Sequence, residues 1–367
     1  MLSVMDSLDR TRIVPIAFCP NTGPLTDELR ARDISQFHWP DSFNRTDESS
    51  QQAVADWWNQ RIVECGLDLL HANSLTMSRR MGRIASRLAC ATTGHVRDIM
   101  KFSRNAAAEL HQHRRLIAVS HAVETALAAQ GIQPGKIETI YNGVDLQRFH
   151  PRTATGWLLQ ELKLPMETKL VATIGQICLR KAQSDLAAAA VLLRDRIPDL
   201  HFLLIGKRHS RKPESVAFDD AITAVFRESG MEHRLHRLQF RSDIAEILPE
   251  IDLLAHPARQ EPLGRVLLEA AACGTPIVAT RVGGTEEILT HDVSGWLVSP
   301  ASPGELAEGM EIALQSPERA SRWGAAARRN MEKRFSANLS AEKLLKCWQQ
   351  ILVEHGGDFR CSGLLLD

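Results

Sequence analysis

The sequence predicts an α/β protein of two domains, each built on a doubly wound parallel sheet. Three observations support this prediction. The chain has 367 residues, whereas a single hydrophobic core seldom grows past about 250 residues. From residue 170 onward, short apolar runs alternate with stretches of helical periodicity, and the first half repeats this rhythm less regularly. Strands that alternate with helices of such length form parallel sheets covered on both faces.

In the first half we predict strands at residues 13–18, 68–71, 116–119 and 137–140, and helices at 52–65, 77–88 and 122–130. In the second half we predict strands at 170–174, 202–205, 238–240, 253–256 and 276–282, and helices at 184–197, 218–229, 244–251 and 264–272. A polar stretch after Gly143 indicates a boundary near residue 150, which gives domains at 1–150 and 151–336. A last helical stretch covers residues 337–353.

Composition excludes several classes of protein. Lys plus Arg and Asp plus Glu both number 44, so the net charge gives no case for nucleic-acid binding. Seven scattered cysteines speak against a disulfide framework or a cysteine zinc site, and they indicate a reducing compartment. No apolar run approaches about 18 residues, and residues 1–12 have no apolar core. We therefore expect a cytoplasmic protein without a membrane span or signal peptide.

Two carboxylates, Glu261 and Glu269, flank a loop-to-helix junction. Gly264 disfavours a helix before it, residues 266–272 are good helix formers, and Gly274 stands where a C-terminal cap belongs. Glu261 is thus predicted on the loop and Glu269 in the second helical turn.

This junction suits a ligand that carries phosphate and hydroxyl groups. The amides near Gly264 and Arg265 at a helix N-terminus favour phosphate, and ionised carboxylates accept hydrogen bonds from sugar hydroxyls. A sugar-diphosphate-ribose ligand fits this pattern better than a bare phosphate. The alternative is a helix that carries two glutamates without a ligand. In paired sheets of this kind, the cleft between the domains is the expected site.

The surrounding motifs resemble the donor site of the family 4 retaining glycosyltransferases of the GT-B fold. The resemblance rests on Glu261, Gly264 and Glu269 together with four ordered stretches. These stretches are residues 117–120 (IAVS), 141–145 (YNGVD) with Phe149 and Pro151, 175–181 (GQICLRK), and 274–287 (GTPIVATRVGGTEE). They cover roughly residues 65 to 350 of the chain.

The resemblance implies two Rossmann-like domains that face each other across a cleft, with the C-terminal helix crossing back to the first domain. It implies transfer of a sugar from a UDP- or GDP-sugar, with retention at the anomeric carbon and without a metal. The departing phosphate would take the proton of the acceptor. The acceptor would be a sugar, a lipid-linked sugar or a polysaccharide, as in polysaccharide or glycolipid biosynthesis.

Roles for five residues derive from the same resemblance. Glu261 would hold sugar hydroxyls and Glu269 the ribose. Lys181, with the amides of Gly264 and Arg265, would hold the diphosphate. The alternative is a solvated lysine without a ligand. A lysine near a helix N-terminus is unfavourable with respect to the helix dipole, so a binding role would explain the position of Lys181 better.

One position departs from the family pattern. In the second domain, the predicted strand 170–174 is followed by Gly175. The family usually has an arginine directly after this glycine, whereas the residue here is Gln176. Glutamine donates hydrogen bonds but brings no charge. Lys181, helped by Arg180 or Arg265, would therefore neutralise more of the leaving group.

Two further residues are candidates by resemblance. His95 lies in a segment where family members place a histidine against the transferred sugar, and we expect it to orient the sugar and not to act as a base. The alternative is an ordinary polar histidine. Gly206 resembles the glycine at which, in the family, the nucleobase of the donor lies close to the protein backbone. The pairs His111–His113 and His233–His236 lack a recognisable carboxylate or cysteine set, so no metal is implied.

Residues 76–115 hold nine lysines and arginines against two acidic residues, a local excess of seven positive charges. Arg79, Arg83 and Arg87 recur every four residues, as on one helical face. This pattern is typical of a surface that meets anionic lipid or an anionic acceptor, at the inner face of the cytoplasmic membrane. The alternative is a solvated basic face.

Two functional alternatives stay open from the sequence. One is an inactive or truncated paralogue that binds nucleotide or sugar as a regulatory module. The other is a sugar-nucleotide epimerase on the same fold, which the combination of Glu261, Gly264 and Glu269 disfavours.

The opening of the chain also departs from the family, which begins with a strand, a glycine-rich loop and a helix. Residues 13–33 resemble the segment that comes after this unit in the family, and residues 1–12 contain no glycine to supply the unit itself. A missing strand would leave strand edges exposed in the first sheet. We therefore expect a fragment or a start downstream of the true one, unless residues 13–24 substitute for the unit.

Overall fold

The computed structural model describes residues 1–39, 43, 47–355 and 364–366, the last three by their backbone alone. It divides into two compact units. Unit 1 is Met1–Gly143 with Ala337–Asp367, and unit 2 is Val144–Ser336. The division falls between Gly143 and Val144, close to the boundary expected near residue 150.

Unit 1 is built on a parallel sheet flanked by helices. Its strands are β1 (Pro15–Phe18), β2 (Ser35–Phe37), β3 (Leu69–Ala72), β4 (Ala91–Val96), β5 (Arg115–Ala118), β6 (Ile137–Thr139) and β13 (Leu364–Leu366). Its helices are α1 (Leu2–Asp6), α2 (Pro24–Arg30), α3 (Glu48–Cys65), α4 (Leu75–Gly82), α5 (Arg104–His111), α6 (His121–Ala128) and α15 (Ala337–Glu354). The described strands run in the order β2-β1-β13-β3-β4-β5-β6.

Serine residues start three helices of unit 1. The hydroxyl oxygens of Ser74, Ser103 and Ser120 accept hydrogen bonds from backbone amides in the first turns of α4, α5 and α6. Such capping satisfies a donor that the helix itself leaves unpaired. Two of these serines end the loops after β3 and β5, so the caps fix where the chain turns from strand to helix.

The two faces of this sheet have different partners. Leu69 and Ile117 pack in the core that contains residues of α1 and α15, whereas Leu70 and Ala72 pack in the core that contains α3 and α4. This separation results from the alternation of side chains along a strand. The C-terminal helix α15 is therefore part of unit 1.

The strand β13 lies between β1 and β3 and is parallel to both. Both neighbours thus have a hydrogen-bonded partner at this place, which differs from the expectation of exposed strand edges there. Residues 2–6 form α1, which contributes Val4 and Met5 to the core shared with α15. Leu8, which follows the helix, packs in the same core.

Unit 2 contains a second parallel sheet. Its strands are β7 (Lys169–Ile174), β8 (Leu200–Ile205), β9 (Leu235–Leu238), β10 (Leu253–His256), β11 (Ile277–Thr280) and β12 (Trp296–Val298). Its helices are α7 (Trp157–Glu161), α8 (Gln183–Leu193), α9 (Pro213–Glu228), α10 (Ile244–Ile247), α11 (Arg265–Cys273), α12 (Thr285–Ile288), α13 (Pro303–Gln315) and α14 (Pro317–Arg334). The strand order is β12-β11-β10-β7-β8-β9.

Several predicted elements differ from the structure in their bounds, and two of these differences have a clear physical cause. The strand predicted at 238–240 is Leu235–Leu238, because these residues pair with Phe202–Ile205 of β8, and Phe240 lies beyond the strand with 73% of its surface exposed. The helix predicted at 77–88 ends at Gly82. A Cβ at Gly82 would lie 2.1 Å from the carbonyl oxygen of Glu109, so α4 and α5 approach closely there.

The six cysteines in the described part of the chain are all free. Within the same residues, no helix combines the length and the apolar character that a bilayer span requires.

A close helix contact in unit 2 generates a stability prediction. Gly324 of α14 packs on the C-terminal end of α11, where an added Cβ would lie 2.0 Å from the carbonyl oxygen of Gly274. We expect Gly324→Ala to destabilise unit 2 by about 1–3 kcal/mol, because the backbone must shift to admit the methyl group. Thermal or urea unfolding would measure the change.

Gly304 of α13 provides the matched control, since an added Cβ there meets no atom within 4 Å. Gly304→Ala should stabilise by up to about 1 kcal/mol through helix propensity. Equal stabilities for the two variants would contradict the packing argument.

Candidate functional site

The candidate site lies at the carboxyl edge of the unit 2 sheet. The strands β7 and β10 are neighbours, and both are central in the sheet. The loop after β7 leads through Gly175 to Lys181, and the loop after β10 leads from His256 to Glu261 and then to α11. Because carboxyl ends of adjacent parallel strands meet at one edge, the two loops come together there.

Lys181, His256 and Glu261 form a buried cluster. The Lys181 ammonium forms an ion pair with Oε2 of Glu261, and Nε2 of His256 lies 2.8 Å from the same oxygen. The exposed fractions are 14% for the Lys181 side chain, 7% for Glu261 and 2% for His256. A carboxylate buried to this degree is stable as an ion only with partners of this kind.

The pKa values of the cluster result from these contacts. Burial alone would raise the pKa of Glu261, but the hydrogen bond from His256 and the charge of Lys181 outweigh it and lower the pKa to about 2. Burial and the charge of Lys181 lower the pKa of His256. The site thus contains an ionised glutamate, and a neutral His256 donates its Nε2 proton to that glutamate.

Further contacts tie the loop after β7 to the loop after β10. A guanidinium nitrogen of Arg180 donates to the carbonyl oxygen of Gln260 over 3.1 Å, and the amide of Arg259 donates to the carbonyl oxygen of Arg180 over 2.8 Å. The guanidinium of Arg259 also pairs with the carboxylate of Asp185 in α8, at 2.8 and 3.0 Å. Arg180 therefore lies beside the cluster, and its side chain already has a protein partner. Its contribution to neutralising a leaving group stays a prediction.

The helix α11 begins directly after Gly264, whose φ is 97°. An added Cβ at Gly264 would lie 2.8 Å from Cδ1 of Leu267 and 3.2 Å from Cγ of Glu261, so both conformation and space favour glycine. The N-cap residue of α11 is this glycine, so it provides no side-chain cap for the first turn. The first amides of a helix are donors that an anion can use, and anion binding at this helix start stays a prediction.

Glu269 lies in the second turn of α11, eight positions after Glu261. Its carboxylate accepts a hydrogen bond from the guanidinium of Arg265 over 3.3 Å, and Arg265 is itself 80% exposed. Burial raises the pKa of Glu269 above its usual value, against the lowering effect of Arg265. Gly274 ends α11 with a φ of 73°, which is the predicted C-terminal cap.

Gly284, the second of two glycines after β11, packs against the loop that carries Glu261. The amide of Gly284 donates to the carbonyl oxygen of Glu261 over 2.9 Å. An added Cβ at Gly284 would lie 2.5 Å from the carbonyl oxygen of Pro262. A side chain at this position would therefore displace the loop that carries Glu261.

Gly206 has a role in packing that the sequence did not suggest. An added Cβ there would lie 2.0 Å from the carbonyl oxygen of Gly175, and its φ is 132°. The close approach of the ends of β7 and β8 explains this glycine without a ligand. Gln176 lies exposed in the loop, and its carbonyl oxygen accepts a hydrogen bond from Nε2 of Gln183 over 2.9 Å.

His95 is not among the residues that unit 2 brings together. It lies near the carboxyl end of β4 in unit 1, 4% exposed, with its Nδ1 3.3 Å from Nε2 of His71. Burial lowers its pKa well below the usual value. Its contact with a donor sugar stays a prediction.

The three arginines predicted to share one face of the basic stretch all form ion pairs within unit 1. Arg79 and Arg83 both pair with Glu109, at 2.7 and 2.8 Å, and Arg87 pairs with Glu48 at 3.1 Å. Because α4 ends at Gly82, the three arginines do not share one continuous helical face. The prediction of such a face is therefore wrong.

Sequence reasoning missed His256. It is the last residue of a predicted strand and stands five positions before Glu261, so only the strand end could have pointed to it. The described residues contain no group of three or more His, Cys, Asp or Glu arranged to hold a metal ion.

The lowered pKa of Glu261 gives a testable dependence of stability on pH. Its ion pair and hydrogen bond contribute fully above the ordinary value of 4.5, and the contribution is lost as the pH falls to about 2. We expect wild type to be more stable than Glu261→Gln at neutral pH, with the difference shrinking between pH 4.5 and 2. Urea unfolding at several pH values would measure it. A difference independent of pH would show that folding leaves this pKa unchanged.

Sequence comparison places both units among known families. The Glycosyltransferase Family 4 model matches residues 2–148, and the model of glycosyl transferases group 1 matches residues 158–330. D-inositol 3-phosphate glycosyltransferase from Mycolicibacterium gilvum is 31% identical over 192 residues, which are 52% of this chain and 42% of that protein. The Mycobacterium tuberculosis H37Ra protein of the same name is 29% identical over 207 residues, 55% and 41% of the two chains. The matches thus span about two fifths of these curated relatives.

Solved structures share the fold over nearly the whole chain. Anabaena Alr3699/HepE in complex with UDP has a TM-score of 0.82 at 23% identity and covers 95% of each chain. A glycosyltransferase from Rickettsia africae has a TM-score of 0.82 at 20% identity, with 92% and 90% covered. Two glycosyltransferase models match the chain, one in each unit, and the solved structures share its fold. The chain therefore belongs to the family 4 glycosyltransferases of the GT-B fold.

Proposed function

We propose that this protein transfers a sugar from a nucleotide-diphosphate sugar, a UDP- or GDP-sugar, to an acceptor, with retention at the anomeric carbon and without a metal. The observation that carries the proposal is the buried cluster of Lys181, His256 and Glu261 beside the uncapped start of α11. Alr3699/HepE, whose fold is similar, has been solved with UDP-glucose. The acceptor in the proposal is a sugar, a lipid-linked sugar or a polysaccharide.

The cluster provides the two kinds of group that such a donor needs. A diphosphate competes with Glu261 for Lys181, and the first amides of α11 add further donors to the same anion. Glu261 keeps its hydrogen bond from His256, and its remaining lone pairs accept from sugar hydroxyls. Glu269 accepts from the ribose hydroxyls. Arg180 and Arg265 add positive charge nearby.

In this proposal, catalysis is electrostatic. The chain stabilises the leaving diphosphate and orients the sugar, while the departing phosphate itself takes the acceptor proton on the same face. Glu261 is ionised but engaged by two partners, which suits a hydrogen-bond acceptor that holds hydroxyls and does not suit a free nucleophile. Retention without a covalent intermediate fits this assignment.

Loss of Lys181 should reduce transfer while the fold is kept. We expect Lys181→Ala and Glu261→Gln each to lower kcat/KM by roughly a hundredfold, since each removes one electrostatic contact to the transition state. Glu269→Ala should mainly raise KM for the donor. Product formation with a set of UDP- and GDP-sugars would measure these effects.

Lys169→Ala is the matched control. Lys169 also forms a lysine–carboxylate ion pair, at 2.9 Å with Asp252, but it starts β7 and thus lies at the opposite edge of the sheet. This variant should transfer at the wild-type rate. Wild-type rates for both Lys181→Ala and Glu261→Gln would overturn the donor-site assignment.

A binding module without catalysis is the second candidate, since Gln176 lacks the charge that the family usually places there. Thermal shift separates binding from turnover: a donor at one hundred times its dissociation constant stabilises the protein by about 2.7 kcal/mol. Donor-dependent stabilisation with slow hydrolysis of that donor supports the enzyme. Stabilisation without hydrolysis or transfer supports the binding module.

Peripheral contact with an anionic membrane is part of the proposal for the acceptor. Because Glu109 already pairs with Arg79 and Arg83, removal of Glu109 should free both cations. We expect Glu109→Gln to pellet more strongly with anionic vesicles than wild type, and salt should weaken the binding. Arg79→Glu with Arg83→Glu should abolish it. If wild type and Glu109→Gln both stay in the supernatant at low salt, this contact is excluded.

A further inference from the structure

A line of buried polar side chains joins the C-terminal helix of unit 1 to the end of β4. His71 of β3 is the register partner of Thr93 in β4, and His95 stands two residues further along β4. The three therefore lie on one face of the sheet, the face that α15 covers with Trp348. The exposed fractions are 2% for His71, 4% for His95 and 1% for Trp348.

The hydrogen-bond contacts link Trp348 to His71 and His71 to His95. The indole nitrogen of Trp348 lies 3.4 Å from Nδ1 of His71, and the hydroxyl oxygen of Thr93 lies 2.9 Å from the same nitrogen. Nε2 of His71 lies 3.3 Å from Nδ1 of His95. Nε2 of His95 is buried and has no hydrogen-bond partner in the described part of the chain.

Both histidines are neutral at physiological pH. Burial, with the charge of Arg97, lowers the pKa of His71 to about 3 and that of His95 well below its usual value. A neutral imidazole carries one proton, so one nitrogen donates and the other accepts. The protons of the two imidazoles can therefore be placed in two ways, and the hydrogen-bond partners decide which pair of tautomers is present.

Trp348 selects one of the two arrangements. An indole N–H donates only, and Nδ1 of His71 is the partner that the described residues give it. If that nitrogen accepts, Nε2 of His71 carries the proton and donates to Nδ1 of His95. His95 then carries its own proton on Nε2. In the opposite arrangement Nδ1 of His71 would donate to the hydroxyl oxygen of Thr93, whose own proton goes to the carbonyl oxygen of Leu70 over 3.5 Å. That arrangement would leave the indole N–H of Trp348 without its acceptor, a cost that the proposed arrangement avoids.

We propose that Trp348 and His71 are positioning residues, which fix His95 in the tautomer that presents Nε2–H as a hydrogen-bond donor to an oxygen atom of the bound sugar. The contact with sugar rests on the proposed function, whereas the tautomer does not. The orphaned Nε2 supports the proposal, because buried polar atoms in native proteins nearly always have a partner.

His113, which lies in the turn before β5, shows that a buried histidine of unit 1 can be satisfied by protein groups. Its Nε2 donates to the carbonyl oxygen of Ser78 over 2.7 Å, and its Nδ1 lies 2.9 Å from the hydroxyl of Thr92. Both of its nitrogens have partners, whereas His95 has one partner and an unsatisfied donor. A histidine protonated on Nε2 also cannot serve there as a general base.

Long-range ¹⁵N–¹H NMR of the histidine-labelled full chain tests the tautomer directly, without donor or acceptor. The spectra of His95→Gln and His71→Gln assign the two rings. We expect the proton of His95 on Nε2 and that of His71 on Nε2. A proton on Nδ1 of His95 would overturn the proposal, whatever the protein catalyses. The expected tautomers in a protein that transfers no sugar would overturn only the proposed function.

Trp348→Phe removes the indole N–H and keeps an aromatic ring. We expect it to shift or mix the tautomers of His71 and His95 and to lower kcat/KM about tenfold, the scale of one hydrogen bond. The control is Trp58→Phe, since Trp58 is a buried tryptophan of unit 1 whose indole nitrogen has no partner in the described residues. It should change neither the tautomers nor kcat/KM.

His71 gives a test by rescue. His71→Leu removes the donor to His95 and should lose activity like Trp348→Phe, whereas His71→Gln keeps a side-chain N–H and should recover much of it. If Trp348→Phe leaves the tautomers of a folded protein unchanged, or if Trp58→Phe alters them equally, Trp348 has no positioning role. If Trp348→Phe does not fold, the wild-type tautomers and the pair of His71 variants still decide the proposal.

Discussion

The carboxylate of Glu261 is the constraint on which the candidate site depends. A buried ion must be paired and hydrogen-bonded, and the chain meets this need from two neighbouring strands, with Lys181 after β7 and His256 at the end of β10. The loop that carries Glu261 must then take a narrow path. Gly264 and Gly284 permit that path because no side chain fits at either position. The same path places the uncapped start of α11 beside the ion pair.

Unit 1 uses a comparable arrangement with neutral groups. The ends of its adjacent strands β3 and β4 carry His71 and His95, and a helix from the end of the chain supplies the outermost donor, Trp348. In both units the buried polar groups are set by hydrogen bonds between elements that are distant in sequence. The C-terminal helix α15 therefore does more than cover apolar surface, because it also restricts the hydrogen-bonding state of β4.

Local patterns predicted the features that local forces determine. The strand at 253–256, the helix after Gly264, its cap at Gly274 and the place of Glu269 all result from propensity and turn chemistry over a few residues. The register and pairing of strands, in contrast, cannot be predicted from patterns over a few residues. The displaced β9 depends on its alignment with β8, and the place of β13 between β1 and β3 depends on a contact across the length of unit 1. His256 and the pairing of Arg79 with Glu109 were missed for the same reason.

The substitution of Gln176 at a position where the family carries an arginine bears on how the site attracts an anion. Each cation near the site already has a protein acceptor: Lys181 has Glu261, Arg180 the carbonyl oxygen of Gln260, and Arg265 has Glu269. Of these, Arg265 is mostly exposed, so water and salt screen its charge strongly. Lys181 is buried, so the exchange of Glu261 for a phosphate at its ammonium group has the largest electrostatic effect. Affinity for a diphosphate would thus depend on the competition between phosphate and Glu261 for one lysine, with the α11 amides as a fixed contribution, and a neutral residue at position 176 is compatible with that balance.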